Sequence, residues 1–252
     1  MSFDIEALLT LFLMYVRIVF FFLLVPFFGK EFLPNTFKVF LATAVAFAIF
    51  LYQDVKPVEF PTTAHYIGAI IREALFGFVA GLMLRLFFDA LQVAGEFISV
   101  NMGLGLATLF LPQQPQTTIL AVLFTLMGSL LFIAIGGPEV VLLALAKSFS
   151  GYPPGTFSLY ELNPEEFLNF FYHSFNLAFR IALPVLVVML LFNLVLALIN
   201  RFIPQINVFI VGLPLQLFIG LGVLILTFPL VYAFIKSHLR EYIIKFTLLV
   251  GG

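Results

Sequence analysis

The feature that most restricts the fold of this chain is the length of its stretches without a charged side chain. Residues 97–138 contain no Asp, Glu, Lys or Arg, and residues 202–235 contain none either. Both stretches are longer than the roughly 20 apolar residues that cross the hydrocarbon core of a bilayer. Only 10% of all residues are charged, whereas about a quarter are charged in a typical soluble domain. The sequence therefore predicts an all-α integral membrane protein.

Charge and motif content exclude several functional classes. The net charge is −1, which provides no basic field to attract nucleic acid. The chain has no Cys, and His65, His173 and His238 are too far apart for a metal-ligand motif. No nucleophile elbow, phosphate loop or zinc-protease motif is present. We therefore expect neither enzyme activity nor a metal or cofactor.

Apolar stretches and helix-breaking residues predict the order of the helices. A side-chain cap at Asn163, followed by Pro164 and Glu166, predicts the start of one of them. The last two apolar stretches predict a hairpin that turns near Arg201, with Pro184, Pro214 and Pro229 interrupting its helices. The apolar stretches expected to be helical are 7–28, 37–52, 67–88, 117–135, a shorter helix that ends at 149, the run 175–199 that follows the start at Asn163, and 206–235.

The uncharged stretch after Glu96 is interrupted near its middle by Gly103, Gly105, Pro112 and Pro115. We expect two helical arms joined by an irregular turn. Non-helical backbone at membrane depth is stable only inside protein or along a water-filled cavity. Two interpretations remain open here: an apolar constriction that gates a pore, or a re-entrant turn that only packs.

Five of the charged residues within or at the ends of predicted membrane helices are candidate functional charges: Arg17, Arg72, Glu73, Arg85 and Asp89. An uncompensated charge at the centre of such a helix costs roughly 2.5 to 3.5 kcal/mol on insertion scales. Arg85 and Asp89 are four residues apart, so they either form a local ion pair or face a hydrated path or another subunit. In every case we expect these charges to meet protein or water instead of lipid.

Small residues on the third predicted helix indicate close helix packing. Gly77 and Gly81 have the four-residue spacing that lets a second helix approach the backbone. We expect this pair to contact a helix, either of this chain or of a neighbouring subunit.

The longest recognisable motif is Asn200-Arg201-Phe202-Ile203-Pro204-Gln205-Ile206-Asn207-Val208-Phe209, followed by Gly212, Pro214 and Gly220. Supporting matches are Arg17 with Pro26-Phe27-Phe28-Gly29, Arg72-Glu73 with Gly77 and Gly81, Ala94-Gly95, Met102-Gly103 with Ala107 and Pro112, and Ala182-Leu183-Pro184 with Asn193. With these matches over nearly its whole length, the chain resembles the FliR family of flagellar type III export-gate subunits, whose virulence-secretion counterpart is SctT.

The resemblance implies a hetero-oligomeric export gate in the bacterial inner membrane, at the flagellar basal body. Residues 1–175 would form a FliP-like helical part, and residues 176–252 a FliQ-like hairpin with a C-terminal tail. The partners would be FliP-like, FliQ-like, FlhB-like and FlhA-like membrane subunits, and the cargo unfolded export substrates. The alternative function is a secondary transporter or channel for small solutes, which would usually show paired broken helices in related halves.

The resemblance also assigns roles to two segments. Residues 101–117, the plug stretch, would close the channel, and residues 201–209, the entrance turn, would lie near the cytoplasmic entrance and an FlhB-like partner. The candidate plug residues are Met102, Gly103, Leu104, Gly105, Leu106, Ala107, Phe110 and Pro112. The candidate residues of the entrance turn are Arg201, Pro204, Gln205, Asn207 and Phe209.

Overall fold

The computed structural model describes residues 5–25, 34–53, 55–105, 117–158, 164–203 and 208–251. Within these ranges the chain forms seven α-helices and no β-strand, which confirms the predicted all-α fold. The helices are α1 (Ile5–Leu24), α2 (Asn35–Tyr52), α3 (Thr63–Asn101), α4 (Ile119–Ala134), α5 (Gly137–Gly151), α6 (Pro164–Phe202) and α7 (Val208–Val250).

Four of these helices, α1, α3, α6 and α7, are long and apolar enough to cross a membrane. Helices α4 and α5 are bent by 69° at the short break between them and together could form a fifth span. Gly136 provides the break, because its φ of 75° lies in the left-handed region that glycine adopts without strain. The predicted end of the 117–135 helix, followed by a shorter helix, is thus confirmed.

Helices α6 and α7 correct one expectation. Pro184 lies inside α6, and Pro214 and Pro229 lie inside α7, but neither helix is interrupted. Each proline removes one backbone donor. Apolar surroundings offer no water to replace the other helical hydrogen bonds, so the chain retains the helix around each proline. The predicted start of α6 at Pro164 is correct, while Asn163 lies outside the described residues.

The helices are divided between two compact units, each of which is discontinuous in sequence. The first unit comprises Met1–Phe87, Phe132–Phe171 and Glu241–Gly252, and the second Phe88–Leu131 and Tyr172–Arg240. This division into two units reflects which residues contact one another within the chain. The division at 175/176 concerns likeness to other export subunits, so it remains a prediction.

In the first unit, glycines bring α3 directly against the backbone of α1. A Cβ atom on Gly81 would lie 2.9 Å from the carbonyl oxygen of Phe21, and one on Gly77 would overlap the carbonyl oxygen of Arg17. Only residues without a side chain allow two helices to approach this closely. The predicted packing role of Gly77 and Gly81 is confirmed, and the helix that they contact belongs to this chain.

In the second unit, α3 packs against α4 in the same manner. A Cβ atom on Gly95 would lie 2.5 Å from the amide nitrogen of Ala121 and 2.6 Å from the carbonyl oxygen of Leu120. The end of α3, which leads into the plug stretch, therefore rests directly on the helix that follows that stretch.

Candidate functional site

The first candidate site is a buried ion pair between α1 and α3. Arg17 and Glu73 are both 0% exposed. Arg17 Nε donates to Glu73 Oε2 at 2.6 Å, and Arg17 Nη2 donates to Glu73 Oε1 at 3.0 Å. The contact is therefore bidentate, the geometry in which a guanidinium and a carboxylate match best.

The remaining donors of Arg17 reach α5 and the loop after it. Nη1 donates to the carbonyl oxygen of Ser148 at 3.1 Å and to its Oγ at 2.9 Å, and Nη2 also donates to the carbonyl oxygen of Tyr152 at 2.9 Å. Glu73 Oε1 in turn accepts the backbone N–H of Gly155 at 2.7 Å. These five residues, Arg17, Glu73, Ser148, Tyr152 and Gly155, form the Arg17 cluster.

Two aromatic rings complete the surroundings of the guanidinium. Its central carbon lies 4.3 Å from the ring centroid of Phe76 and 4.3 Å from that of Phe149. Arginine has five N–H donors, and each one has an acceptor within the Arg17 cluster. The guanidinium therefore has no donor left for a ligand, and the cluster joins α1, α3, α5 and the loop of residues 152–158.

The partner of Glu73 was not apparent from the sequence. Arg72 is adjacent to Glu73 in the chain, but it is exposed and donates to the carbonyl oxygen of Gly155 at 3.3 Å. The residue that neutralises Glu73 is Arg17, 56 positions away. No local spacing signals such a pair. The general expectation that these charges meet protein is met for Arg17 and Glu73.

Arg85 and Asp89 both lie in α3, one helical turn apart, and both have interaction partners. The sequence left a local ion pair and a contact with water or another subunit as alternatives. Both alternatives remain predictions.

The second candidate site is the turn that ends α3 and opens the plug stretch. Gly103 donates its N–H to the carbonyl oxygen of Val100 at 3.1 Å, and Leu104 donates its N–H to that of Ser99 at 2.9 Å. Gly103 has a φ of 80°. This pair of hydrogen bonds around a left-handed glycine is the Schellman motif, a common way to end a helix. The described first part of the predicted irregular turn is therefore a defined helix end.

The remaining predicted site residues are only partly described. Gly105 follows the turn and is partly exposed, and Arg201 is exposed in the last turn of α6. A cation at this helix end is favoured by the helix dipole. Leu106, Ala107, Phe110, Pro112, Pro204, Gln205, Asn207 and the side chain of Phe209 lie outside the described residues.

The part of the chain that the structure describes contains no group of three or more His, Cys, Asp or Glu side chains that could hold a metal ion. The long apolar helices and the buried, neutralised ion pair together define a multi-helix integral membrane protein.

Comparison with known proteins identifies the family within this class. Residues 8–242 match the family described as bacterial export proteins, family 1. The flagellar biosynthetic protein FliR of Aquifex aeolicus (strain VF5) is 47% identical over 237 residues, which cover 94% of this chain and 92% of that protein. The chain thus belongs to the FliR family of bacterial export proteins.

More distant relatives come from both flagellar and secretion systems. The FliR protein of Bacillus subtilis (strain 168) is 29% identical over 230 residues, covering 89% of this chain and 88% of that protein. The secretion system apparatus protein SsaT of Salmonella typhimurium is 27% identical over 184 residues, covering 71% of this chain and 70% of its own length. The family is one of membrane components of export systems and not a known family of enzymes.

Proposed function

We propose that this chain is a core membrane subunit of the flagellar type III protein export gate. With FliP-like and FliQ-like subunits it forms the channel entrance for unfolded export substrates, and flagellum assembly needs it. The observation that carries this proposal is the similarity to a flagellar FliR protein over 94% of this chain and 92% of that relative. The gate lies in the bacterial inner membrane at the flagellar basal body, with FlhB-like and FlhA-like subunits beside it.

The apolar surfaces of α6 and α7 support a place inside an assembly. Only 22% of the residues in an 18-residue apolar segment of each helix are buried within the chain. Large side chains such as Phe218 and Leu226 are 80% and 82% exposed. Surfaces of this kind require cover from lipid or from other helices.

An amide pair on these helices favours protein over lipid as part of that cover. Gln216 Nε2 donates to Asn193 Oδ1 at 2.6 Å, and this hydrogen bond is exposed. Among the described residues, the other amide donors and acceptors of this pair have no hydrogen-bond partner. Lipid cannot satisfy such groups, whereas a neighbouring helix, a polypeptide or a water-filled channel can.

The proposal divides the chain by function. Residues 1–175 are the FliP-like part, and residues 176–252 are the FliQ-like hairpin and tail. The plug stretch, residues 101–117, closes the channel until a substrate passes. The entrance turn, residues 201–209, contacts the FlhB-like partner near the cytoplasmic entrance.

A deletion within the plug stretch tests the gating role. We expect removal of residues 103–109 to make the assembled gate leak ions and small solutes, because the channel then lacks its closure. The complex with its FliP-like and FliQ-like subunits would be purified in mild detergent, reconstituted into vesicles and assayed for dye and ion release. The unaltered complex and protein-free vesicles serve as controls.

The outcomes separate the gate from other functions. Unchanged permeability in a complex that retains all its subunits would contradict the gating role and favour a purely structural scaffold. Transport of a small solute by the purified chain alone would favour a secondary transporter. Failure of the FliP-like and FliQ-like subunits to co-purify with the unaltered chain would contradict the proposed assembly.

A further inference from the structure

The end of α3 is seated on α7 at a position where α7 has no side chain. Met102 is 0% exposed. A Cβ atom on Gly220 would lie 2.5 Å from Met102 Cγ, 2.8 Å from its Cε and 2.9 Å from its Sδ. The methionine therefore occupies the space that any other residue at position 220 would fill. Both residues belong to the second compact unit.

Neighbouring positions on α7 hold the next residue of the turn. A Cβ atom on Gly103 would lie 3.1 Å from Leu213 Cδ2 and 3.6 Å from Gln216 Oε1. Leu213, Gln216 and Gly220 are separated by three and four positions, the spacing of one face of a helix. One face of α7 thus contacts both Met102 and Gly103.

The two contacts determine different properties of the turn. The Schellman hydrogen bonds within residues 99–104 set the direction in which the backbone leaves α3. They do not determine where the turn lies against other helices. The seat of Met102 on Gly220 fixes that place, and an unbranched methionine is suited to such close contact with a bare backbone.

We propose that Gly220 is a positioning residue for the gate: it seats Met102 on α7, holds the start of the plug stretch in its closed position, and loses this contact when polypeptide passes. This inference rests on the proposed function, since it is the plug stretch that the seat positions. We call this contact between the turn and α7 the seat; it comprises Met102, Gly103, Leu213, Gln216 and Gly220.

A paired-cysteine lock tests the contact and its release. A Cβ atom at 220 lies 2.5 Å from Met102 Cγ, and one further carbon–carbon bond places the two Cβ atoms no more than roughly 4 Å apart, so they are not too far apart for a disulfide. The variant Met102→Cys/Gly220→Cys should therefore cross-link on mild oxidation in the assembled gate. The chain has no Cys of its own to compete. Differential alkylation and mass spectrometry would detect the bond.

The lock should stop export reversibly. We expect translocation of an unfolded substrate to be lost after oxidation and to recover after reduction, because the bond prevents Met102 from leaving its seat. The matched control is Met102→Cys/Gly222→Cys, since a Cβ atom on Gly222 meets nothing within 4 Å. This control should neither cross-link nor lose export.

A second variant, Gly220→Ala, tests the contact between Met102 and position 220 without a covalent bond. Gly220→Ala should displace Met102 and raise the leak of the resting gate by about tenfold, because the closed position becomes less populated. Gly222→Ala should leave the leak unchanged. Retention of all subunits in both purified complexes ensures that the leak is compared in intact gates.

Each outcome bears on one of the two proposals. No cross-link between positions 102 and 220, or a cross-linked gate that still exports, would overturn the inference; so would equal leaks in Gly220→Ala and Gly222→Ala. The deletion of residues 103–109 in the same assay distinguishes a failure of this inference from a failure of the proposed gating role. If the deletion leaks while Gly220→Ala does not, the gating role of the plug stretch is retained and the role of Gly220 is contradicted. If the deletion does not leak, the gating role itself is contradicted.

Discussion

Replacement of Arg17 by methionine should sharply lower the amount of folded, assembled chain in the membrane. The substitution leaves the carboxylate of Glu73 buried with the Gly155 N–H as its remaining partner in the cluster. Loss of one partner of a buried ion pair costs about 3 to 5 kcal/mol. Since folded proteins are stable by only about 5 to 15 kcal/mol, this loss is a large fraction of the total stability and lowers the amount of chain that folds and assembles. Native gel electrophoresis of detergent extracts would measure the assembled fraction.

Three further variants separate charge from packing at this position. Arg17→Lys keeps the charge but cannot form the bidentate contact, so its assembled fraction should lie between those of the unaltered chain and Arg17→Met. Arg17→Met combined with Glu73→Gln removes both charges and should recover at least part of the lost stability, because no isolated charge remains buried. Arg72→Met is the matched control: Arg72 is exposed, and surface substitutions usually change stability by less than about 0.5 kcal/mol. Equal losses from Arg17→Met and Arg72→Met would contradict the role of the cluster.

The second large effect is expected from a single methyl group on α3. Gly77→Ala would place a Cβ atom against the carbonyl oxygen of Arg17 and 3.1 Å from the Cβ of Phe20. Backbone atoms cannot move aside as a flexible side chain can, so α3 must shift away from α1. Overpacking of this kind costs about 1 to 3 kcal/mol, and the shift also disturbs the Arg17 cluster. The unfolding midpoint of the purified complex, followed by circular dichroism, would measure the loss.

Gly68→Ala is the control for this prediction, because it changes the same residue type on the same helix. A Cβ atom on Gly68 meets nothing within 4 Å. In a helix interior alanine is favoured over glycine by roughly 0.5 to 1 kcal/mol, so Gly68→Ala should raise the midpoint while Gly77→Ala lowers it. A midpoint that moves in the same direction for both variants would show that helix propensity, and not the contact with α1, determines the result.

Local sequence signals were sufficient where the physical cause is itself local. The turn at Gly103 after α3, the break at Gly136 and the start of α6 at Pro164 each depend on backbone preferences of one or two residues. Proline was a poorer guide: Pro184, Pro214 and Pro229 did not end their helices. Whether proline ends a helix depends on what replaces the lost hydrogen bond, and that depends on the surroundings.

The candidate sites were predicted less completely than the helices. Gly103 was selected for its flexibility, and its turn is now a defined Schellman motif. Its neighbour Met102 was also selected, but its seat on Gly220 was not foreseen, because positions 102 and 220 have no shared local pattern. Arg17 was recognised as an intramembrane charge, while its pairing with Glu73 was missed for the same reason.

By itself, the sequence determined the all-α membrane class, the order of most helices and the resemblance to the FliR family. Each of these follows from composition, from residues close together in the chain or from a motif that can be read directly. The tertiary structure alone decided which side chain neutralises Glu73, which helix Gly77 and Gly81 contact, and where the turn at Gly103 lies against α7. These contacts join distant parts of the chain, so their energies depend on the packing of whole helices and not on any local pattern.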